Sequence, residues 1–347
     1  MKSPGSRIFR LAVLIVAVFG ISTVALYINP GFLQPPTAHA AVTPFAGVNW
    51  ADARDNYNSG WVIPTGLTAS DSYATVQTKA NKILAGFQNN LGANTVRLPI
   101  NPPSVAQSWW GSYTAAIDTA LSRGMRVILS CWTASSSQGT VSNLTDFWNM
   151  WQTVVNKYGG NNDSNVYFEI LNEPYGYSAT DWTNLAAQWL SNFSSVPRGR
   201  VIVSGTGYND HLSAVGSDSR LNGCLLSLHI YPDWNKSNTT ENQWKQELIT
   251  RLAGYQSRAI VDEYGAPMTT GINYNVGENN INGNYYVAFM YGIPNQIRAY
   301  GMGSVYWPGL KSGDTYTMEQ MNGSGTNISL SNTNASGRVQ IRWAWGY

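Results

Sequence analysis

A parallel (β/α)8 TIM barrel is the fold class this sequence predicts, and three observations predict it. Apolar runs of strand length alternate with helix-length amphipathic stretches from residue 45 onward, as a chain of βα units requires. The length of 347 residues leaves room for a barrel of about 250 residues with loop insertions. The polar residues that close the apolar runs stand at the ends of many different runs, and a barrel gathers its chemistry at the carboxyl ends of several strands. A doubly wound open sheet shares the alternation and is the structural alternative.

Residues 45–50 supply the first strand and lead into a Gly/Ser/Asn-rich loop. Ile83, Leu84, Phe87 and Leu91 recur at helical spacing and predict a helix over 75–91. Strand two follows at 94–100, then a helix at 113–124 stopped by Gly124, then strand three at 125–132. Phe147, Trp148, Trp151, Val154 and Val155 share one side of a helix over 146–158, which runs out at Gly159 and Gly160. Strand four, at 166–171, is β-branched and aromatic-rich. Next come a helix at 180–193, strand five at 200–205, a short polar helical segment near Asp210, and strand six at 224–231. A helix at 241–255, strand seven at 258–264, a helix over Tyr285–Tyr300 interrupted by Pro294, and strand eight at 303–307 complete the series. The tail at 336–346 reads as a closing helix. No repeat or linker marks a second domain, so residues 41–347 are expected to form one barrel.

Residues 1–40 have a basic start, an apolar stretch over 11–28, and Pro-rich sequence ending in Ala38-His39-Ala40, which together predict a secretory signal. The stretch is long enough that an uncleaved membrane anchor remains the alternative. Either way the rest is expected outside the cytoplasm, secreted if the leader is removed. The leader contributes Lys2, Arg7 and Arg10 and no acid, so the formal charge of +2 becomes −1 without it. With 12% charged residues, 14 Trp and 20 Tyr, the chain is neither disordered nor built to bind nucleic acid, and it suits an uncharged polar ligand. Two cysteines are present, Cys131 at the end of one strand and Cys224 at the start of another. In parallel strands rising about 3.3 Å per residue they lie roughly 15 Å apart along the barrel. A disulfide needs Cα atoms within about 7 Å, so both are expected to be free, buried thiols.

The run at 166–171 delivers Asn172, Glu173 and Pro174 to its carboxyl end. Proline at 174 ends the ladder and favours an extended Glu173, whose carboxyl would project from the strand tip. Strand seven ends in the same way at Glu263. One carboxylic acid to protonate a leaving oxygen and one carboxylate to attack, or to activate water, is what glycosidic cleavage requires. The plainer reading is two ion-paired glutamates at loop starts. Only His211 and His229 remain once the leader is set aside, so no histidine-rich metal site can be built. No cofactor is expected.

The ordered set Arg97-Leu-Pro, Asn172-Glu-Pro, His229-Ile-Tyr231, Glu263 and Trp307 resembles glycoside hydrolase family 5, the cellulase family, and spans essentially all of 43–347. The resemblance implies Glu173 as acid/base, Glu263 as nucleophile, and retention at the anomeric carbon. It further implies that Asn172 binds the sugar 2-hydroxyl and that Arg97 orients Glu263 and keeps it ionised. His229 and Tyr231 would hold the acid/base and the nucleophile respectively, and Trp307 would floor the cleavage subsite. Arg97 has a plainer role too, balancing Glu169 on the same strand face as Glu173.

Family members often carry histidine at the end of strand three, where this chain has Trp132. Sugars expose apolar C–H faces that stack on aromatic rings. Trp50, Trp109, Trp110, Trp132, Tyr175, Tyr177, Tyr208, Trp234 and Tyr264 crowd the expected rim, and about half are expected to be core instead. Trp50 and Trp132 are carried as substrate contacts. Trp182 and Trp189, seven apart on a helix, are expected to pack. The leading reading is a monomeric, retaining endo-β-1,4-glucanase acting on a polysaccharide or its oligosaccharides. A β-mannanase or an exo-acting β-glucosidase is the enzymatic alternative, and a non-catalytic carbohydrate-binding barrel the alternative of another class.

Overall fold

The computed structural model describes residues 45–55, 59–160 and 165–347, so the expected signal or anchor lies outside the described residues. Among them no helix is long and apolar enough to cross a membrane. Eight strands pair in parallel and in chain order: β1 (Ala46–Trp50), β2 (Thr95–Ile100), β3 (Arg126–Cys131), β4 (Val166–Glu169), β5 (Val201–Ser204), β6 (Leu225–Ile230), β7 (Ala259–Tyr264) and β8 (Gly303–Leu310). β8 closes on β1, giving the barrel rather than the open sheet.

Helices Tyr73–Gly86, Trp109–Ser122, Leu144–Tyr158, Ala179–Asn192, Glu241–Leu252 and Tyr285–Tyr300 connect the strands, and Ala335–Ala344 follows β8. Between β5 and β6 the helical pieces are short, the turns Thr206–Asn209 and Ser213–Ser217 and a 3-10 turn at Ser219–Leu221. Their start points are written in side chains: Ser72, Asn143, Ser178, Thr240, Asn284 and Asn334 each accept a first-turn N–H. Such a cap contributes about 0.5–2 kcal/mol. The helix at Leu144–Tyr158 buries Phe147, Met150, Trp151, Val154, Val155 and Tyr158 against the sheet.

Alternation along each strand sorts the side chains. Val48, Trp50, Val96, Leu98, Leu129 and Phe168 face outward into the core shared with the helices. Inward-facing residues form two layers. Phe45, Ile128, Ile202, Ile260 and Val305 plug the amino-terminal end of the barrel. Above them lie Asn49, Arg97, Ser130, Glu169, Ser227, His229, Asp262 and Glu263, all buried and all polar. Burying so many polar groups is tolerable only if they bond one another, and they do so in the network described below.

Several boundaries differ from expectation. The β4 ladder ends at Glu169, although Ile170 and Leu171 remain buried. Pro294 does not interrupt its helix, which continues to Tyr300. Close packing supports the helix there: a Cβ at Gly292 would stand 2.6 Å from Glu241 O and from Trp244 Cβ. A hairpin, β9 (Glu319–Ser324) and β10 (Asn327–Asn332), precedes the closing helix and has no counterpart in the sequence reading. Its strands are Asn/Ser/Gly-rich and mostly exposed, so they show little apolar alternation. Trp182 and Trp189 are fully buried, as packing predicts. Cys131 and Cys224 are free and buried.

Candidate active site

The carboxyl end of β7 departs from regular pairing. Leu228 of β6 stands opposite Val261, but His229 stands opposite Glu263, and the β7–β8 register also shifts between Val261 and Tyr264. A bulge of this kind re-aims side chains. Here it turns two neighbouring carboxyl groups, Asp262 and Glu263, toward the barrel interior, where alternation would admit one.

Arg97, the third residue of β2 rather than its tip, reaches up into this layer and is 1% exposed. Its Nε and Nη2 donate to the two Glu169 oxygens at 2.6 and 2.8 Å. Nη1 donates to Glu263 Oε1 at 2.5 Å and to Asn49 Oδ1 at 2.9 Å. Nη2 also donates to Asn172 Oδ1 at 2.6 Å and to Ser130 Oγ at 3.0 Å. Arg97 thus contacts both of the carboxylates considered for it, Glu169 and Glu263. The opposite Glu263 oxygen, Oε2, accepts from Tyr231 Oη at 2.8 Å.

Glu173 has φ +48°, left-handed backbone and not the extended form expected before Pro174. Neighbouring hydrogen bonds hold it there: its N–H donates to Asn209 Oδ1 at 3.0 Å, and its carbonyl accepts from Tyr175 N–H at 2.8 Å. Holding a non-glycine residue in such a conformation costs about 1–3 kcal/mol and is typical of functional sites. The side chain then meets His229, whose Nδ1 lies 3.2 Å from Glu173 Oε1 and 3.5 Å from Glu263 Oε2. One oxygen of Glu173 and one of Glu263 lie within 4.8 Å of each other.

The two carboxyl groups are held differently. Burial pushes Glu263 up to about 7, against the pull of the Arg97 guanidinium and the Tyr231 hydroxyl. Burial, then the Glu263 charge, pushes Glu173 well above the usual carboxylate range, with Arg97 only a partial offset. Arg97 and Tyr231 both donate directly to Glu263 and favour its ionised form, contacts that Glu173 does not make. Burial, followed by the Arg97 charge, depresses His229 well below its ordinary value, so the imidazole is neutral. Asp262 is also raised well above its usual range, first by burial and then by Glu169.

A cavity of about 340 Å³ opens over this layer, lined by Asn172, Glu173, Tyr231, Glu263, Trp132 and Trp307 together with Asp55, Ser135, Tyr175 and Tyr208. Trp132 and Trp307 lie 5.6 Å apart by ring centroid and form one wall. Tyr175 and Tyr208 stack at 4.4 Å on another part of the rim. Trp50 is not among the lining residues. It is fully buried, donates Nε1–H to Thr65 O at 2.8 Å, and packs edge-on to Phe87, so its expected sugar contact is corrected to a core role. Alternation explains this: Trp50 follows inward-facing Asn49 and must point outward. Trp109, Trp110 and Tyr264 are likewise buried. Asp262, Asn209 and Asp55 went unremarked in the sequence, because a bulge and loop conformations bring them to the site.

Two trios place ligand atoms within 4.8 Å of one another, Glu169 with His229 and Asp262, and Glu173 with His229 and Glu263. The Arg97 guanidinium is already the cation serving these carboxylates, 2.6 Å from Glu169, 2.5 Å from Glu263 and 3.9 Å from Asp262. A divalent ion would have to sit against that fixed positive charge.

Comparison with known proteins follows the same lines. The chain is similar to Endoglucanase 1 of Saitozyma flava, 28% identical over 289 residues that cover 73% of this chain and 83% of that protein. Among solved structures it resembles the endocellulase of Pyrococcus horikoshii, with TM-score 0.60, 16% identity, and coverage of 87% of this chain and 92% of that one. It also resembles Cel5A (EG2) of Hypocrea jecorina, with TM-score 0.57, 16% identity, and coverage of 84% and 97%. The model of the cellulase family, glycosyl hydrolase family 5, matches residues 58–309, most of the barrel. With that match laid over a closed parallel barrel, the chain belongs to glycosyl hydrolase family 5.

Proposed function

We propose that this protein is a secreted, retaining endo-β-1,4-glucanase in which Glu173 is the acid/base and Glu263 the nucleophile, with residues 41–347 as its catalytic barrel. The observation that carries this reading is the meeting of the two glutamates, one oxygen of each within 4.8 Å of the other, with Glu263 on Arg97 and Tyr231 and Glu173 on a neutral His229. An inverting pair needs a separation of about 6.5–9.5 Å to admit water, and a retaining pair stands at about 5–5.5 Å.

In the first step the Glu263 carboxylate attacks the anomeric carbon as Glu173 gives its proton to the departing glycosidic oxygen. The products are a glycosyl ester on Glu263 and a free leaving sugar. Esterification removes the Glu263 negative charge, one of the causes of the raised Glu173 value, so Glu173 becomes a competent base. In the second step Glu173 takes a proton from water, the resulting hydroxide attacks the anomeric carbon, and Glu263 leaves as carboxylate. Asn172, bonded to Arg97, is oriented toward the sugar 2-hydroxyl, and Trp132 and Trp307 offer faces for the ring.

The endo-β-1,4-glucan assignment is supported by the names of the similar proteins and by the Pyrococcus horikoshii relative, whose solved structure is a cellotetraose complex. It is also supported by aromatic surface continuing beyond the cavity, where exposed Tyr208 lies 6.5 Å from exposed Trp234. Purified protein incubated with defined glucan, mannan and xylan oligosaccharides, with products sized by chromatography, tests it. Internal cleavage of β-1,4-glucan chains is expected. Preference for mannan, or release of single glucose units only, would replace the assignment, and binding without turnover would remove the enzymatic reading.

A further inference from the structure

We infer that Asn209 is a positioning residue for the acid/base, one side chain that both clamps the Glu173 main chain and selects the His229 tautomer facing its carboxyl group. This rests on the proposed roles of Glu173 and Glu263.

Asn209 lies in the β5–β6 connection, is fully buried, and has φ +58°. Its orientation is dictated by what surrounds it. The Glu173 N–H, 3.0 Å away, can only donate and so requires the amide oxygen on that side. That leaves Nδ2 with its two hydrogens facing Ser227 Oγ at 2.6 Å and His229 Nε2 at 3.2 Å. Ser227 can accept because its own hydroxyl hydrogen goes to Asp262 Oδ1 at 2.5 Å. His229 Nε2 can accept only if it carries no proton. Asp262 Oδ1 is a more distant partner for that nitrogen, at 3.5 Å, and is already engaged by Ser227. The proton of neutral His229 is therefore on Nδ1, which points at Glu173 Oε1.

Every hydrogen bond in the chain thus has a direction: Ser227 to Asp262, Asn209 to Ser227 and to His229, His229 to Glu173. Asn209 touches neither substrate nor the reacting atoms. It acts through the backbone of Glu173, fixing the left-handed turn that aims the side chain, and through the imidazole that donates to the carboxyl. The charged and titratable groups facing His229 are Glu173, Glu263, Asp262, Glu169 and Arg97.

The direct test needs no variant. With three histidines in the whole chain, NMR of 15N-histidine-labelled protein resolves the His229 ring, and protonated Nδ1 with bare Nε2 is expected. The opposite tautomer overturns the inference. Asn209→Asp then separates the two functions: a carboxylate still accepts the Glu173 N–H but cannot donate to His229. Expected are a changed His229 tautomer and a kcat/KM loss of roughly 10²-fold on cello-oligosaccharides, whose leaving group needs a proton. The loss on an activated aryl cellobioside should stay within about 3-fold, since that leaving group departs unprotonated. Equal losses on both substrates, or none on either, would overturn the positioning role. If Asn209→Asp does not fold, Ser227→Ala, which frees one amide hydrogen but leaves Asn209 in place, should show the same leaving-group pattern more weakly, and its absence counts equally against the inference. Glu173→Ala run alongside distinguishes the failures: normal activity there sinks the roles of the glutamates themselves, not only that of Asn209.

Discussion

Replacing Arg97 by alanine removes the only guanidinium in contact with Glu263 among the described residues, and with it six hydrogen bonds, two to Glu169 and one each to Glu263, Asn49, Asn172 and Ser130. Unit charges about 4 Å apart at an effective dielectric near 20 interact by about 4 kcal/mol, and about 1.4 kcal/mol corresponds to one pH unit. Glu263 already sits at about 7 with Arg97 pulling it down. The sign is therefore upward: without the cation the nucleophile holds its proton to higher pH, and the acid limb of kcat/KM should move up by more than one unit. Below that limb each unit lowers the ionised fraction tenfold. Breaking a buried pair also destabilises by about 3–5 kcal/mol, so thermal unfolding should fall in parallel. Arg97→Lys keeps the charge but cannot span both carboxylates, so its limb should move less than that of Arg97→Ala while activity still drops. The assay is a pH profile of kcat/KM on a cello-oligosaccharide for the wild type and both variants. An unmoved acid limb with full activity in Arg97→Ala would refute the reasoning.

Other outcomes follow from the same structure. Trp50→Phe should lower the unfolding temperature through its lost bond to Thr65 and leave KM for oligosaccharides unchanged, whereas Trp132→Ala should raise KM; a KM effect at Trp50 would contradict its core placement. Gly86→Ala should destabilise by about 1–3 kcal/mol in urea unfolding despite the better helix former, because the new Cβ would stand 2.7 Å from Leu330 Cβ, and pairing it with Leu330→Ala should recover part of the loss. Thiol reagents should label neither Cys131 nor Cys224 until denaturant is added, and reductant should leave the unfolding temperature unchanged; labelling of the native protein would contradict their burial.

Alternation and helical spacing made the barrel legible, because both are local properties of a few residues at a time. Asn172, Glu173, Glu263, His229 and Tyr231 were legible for the same reason: each stands at the end of an apolar run. What escaped the sequence depends on longer-range geometry. Period two predicts one inward carboxyl on β7, and only the shifted pairing with β6 and β8 reveals that Asp262 and Glu263 both enter. The left-handed Glu173 overrides the preference before proline because Asn209, 36 residues away, takes its N–H. Trp50 was misplaced because a strand-end tryptophan looks alike from either face, and Asn49 decides which face it takes. The β9–β10 hairpin lacks apolar contrast and is held instead by contacts such as Asn90 Nδ2 to Leu330 O at 3.1 Å.

The division of labour between the two glutamates is most directly tested by following an activated aryl cellobioside through Glu173→Ala and Glu263→Ala with azide present. Mass spectrometry would detect the trapped intermediate and NMR the configuration of the glycosyl azide. With Glu173 absent, Glu263 still attacks, so Glu173→Ala should accumulate a glycosyl-enzyme, and azide should release a product of retained configuration. With Glu263 absent no ester can form, and azide should attack the substrate directly to give the inverted product. An intermediate in Glu263→Ala and none in Glu173→Ala would reverse the assignment, and normal activity in both variants would place the chemistry elsewhere.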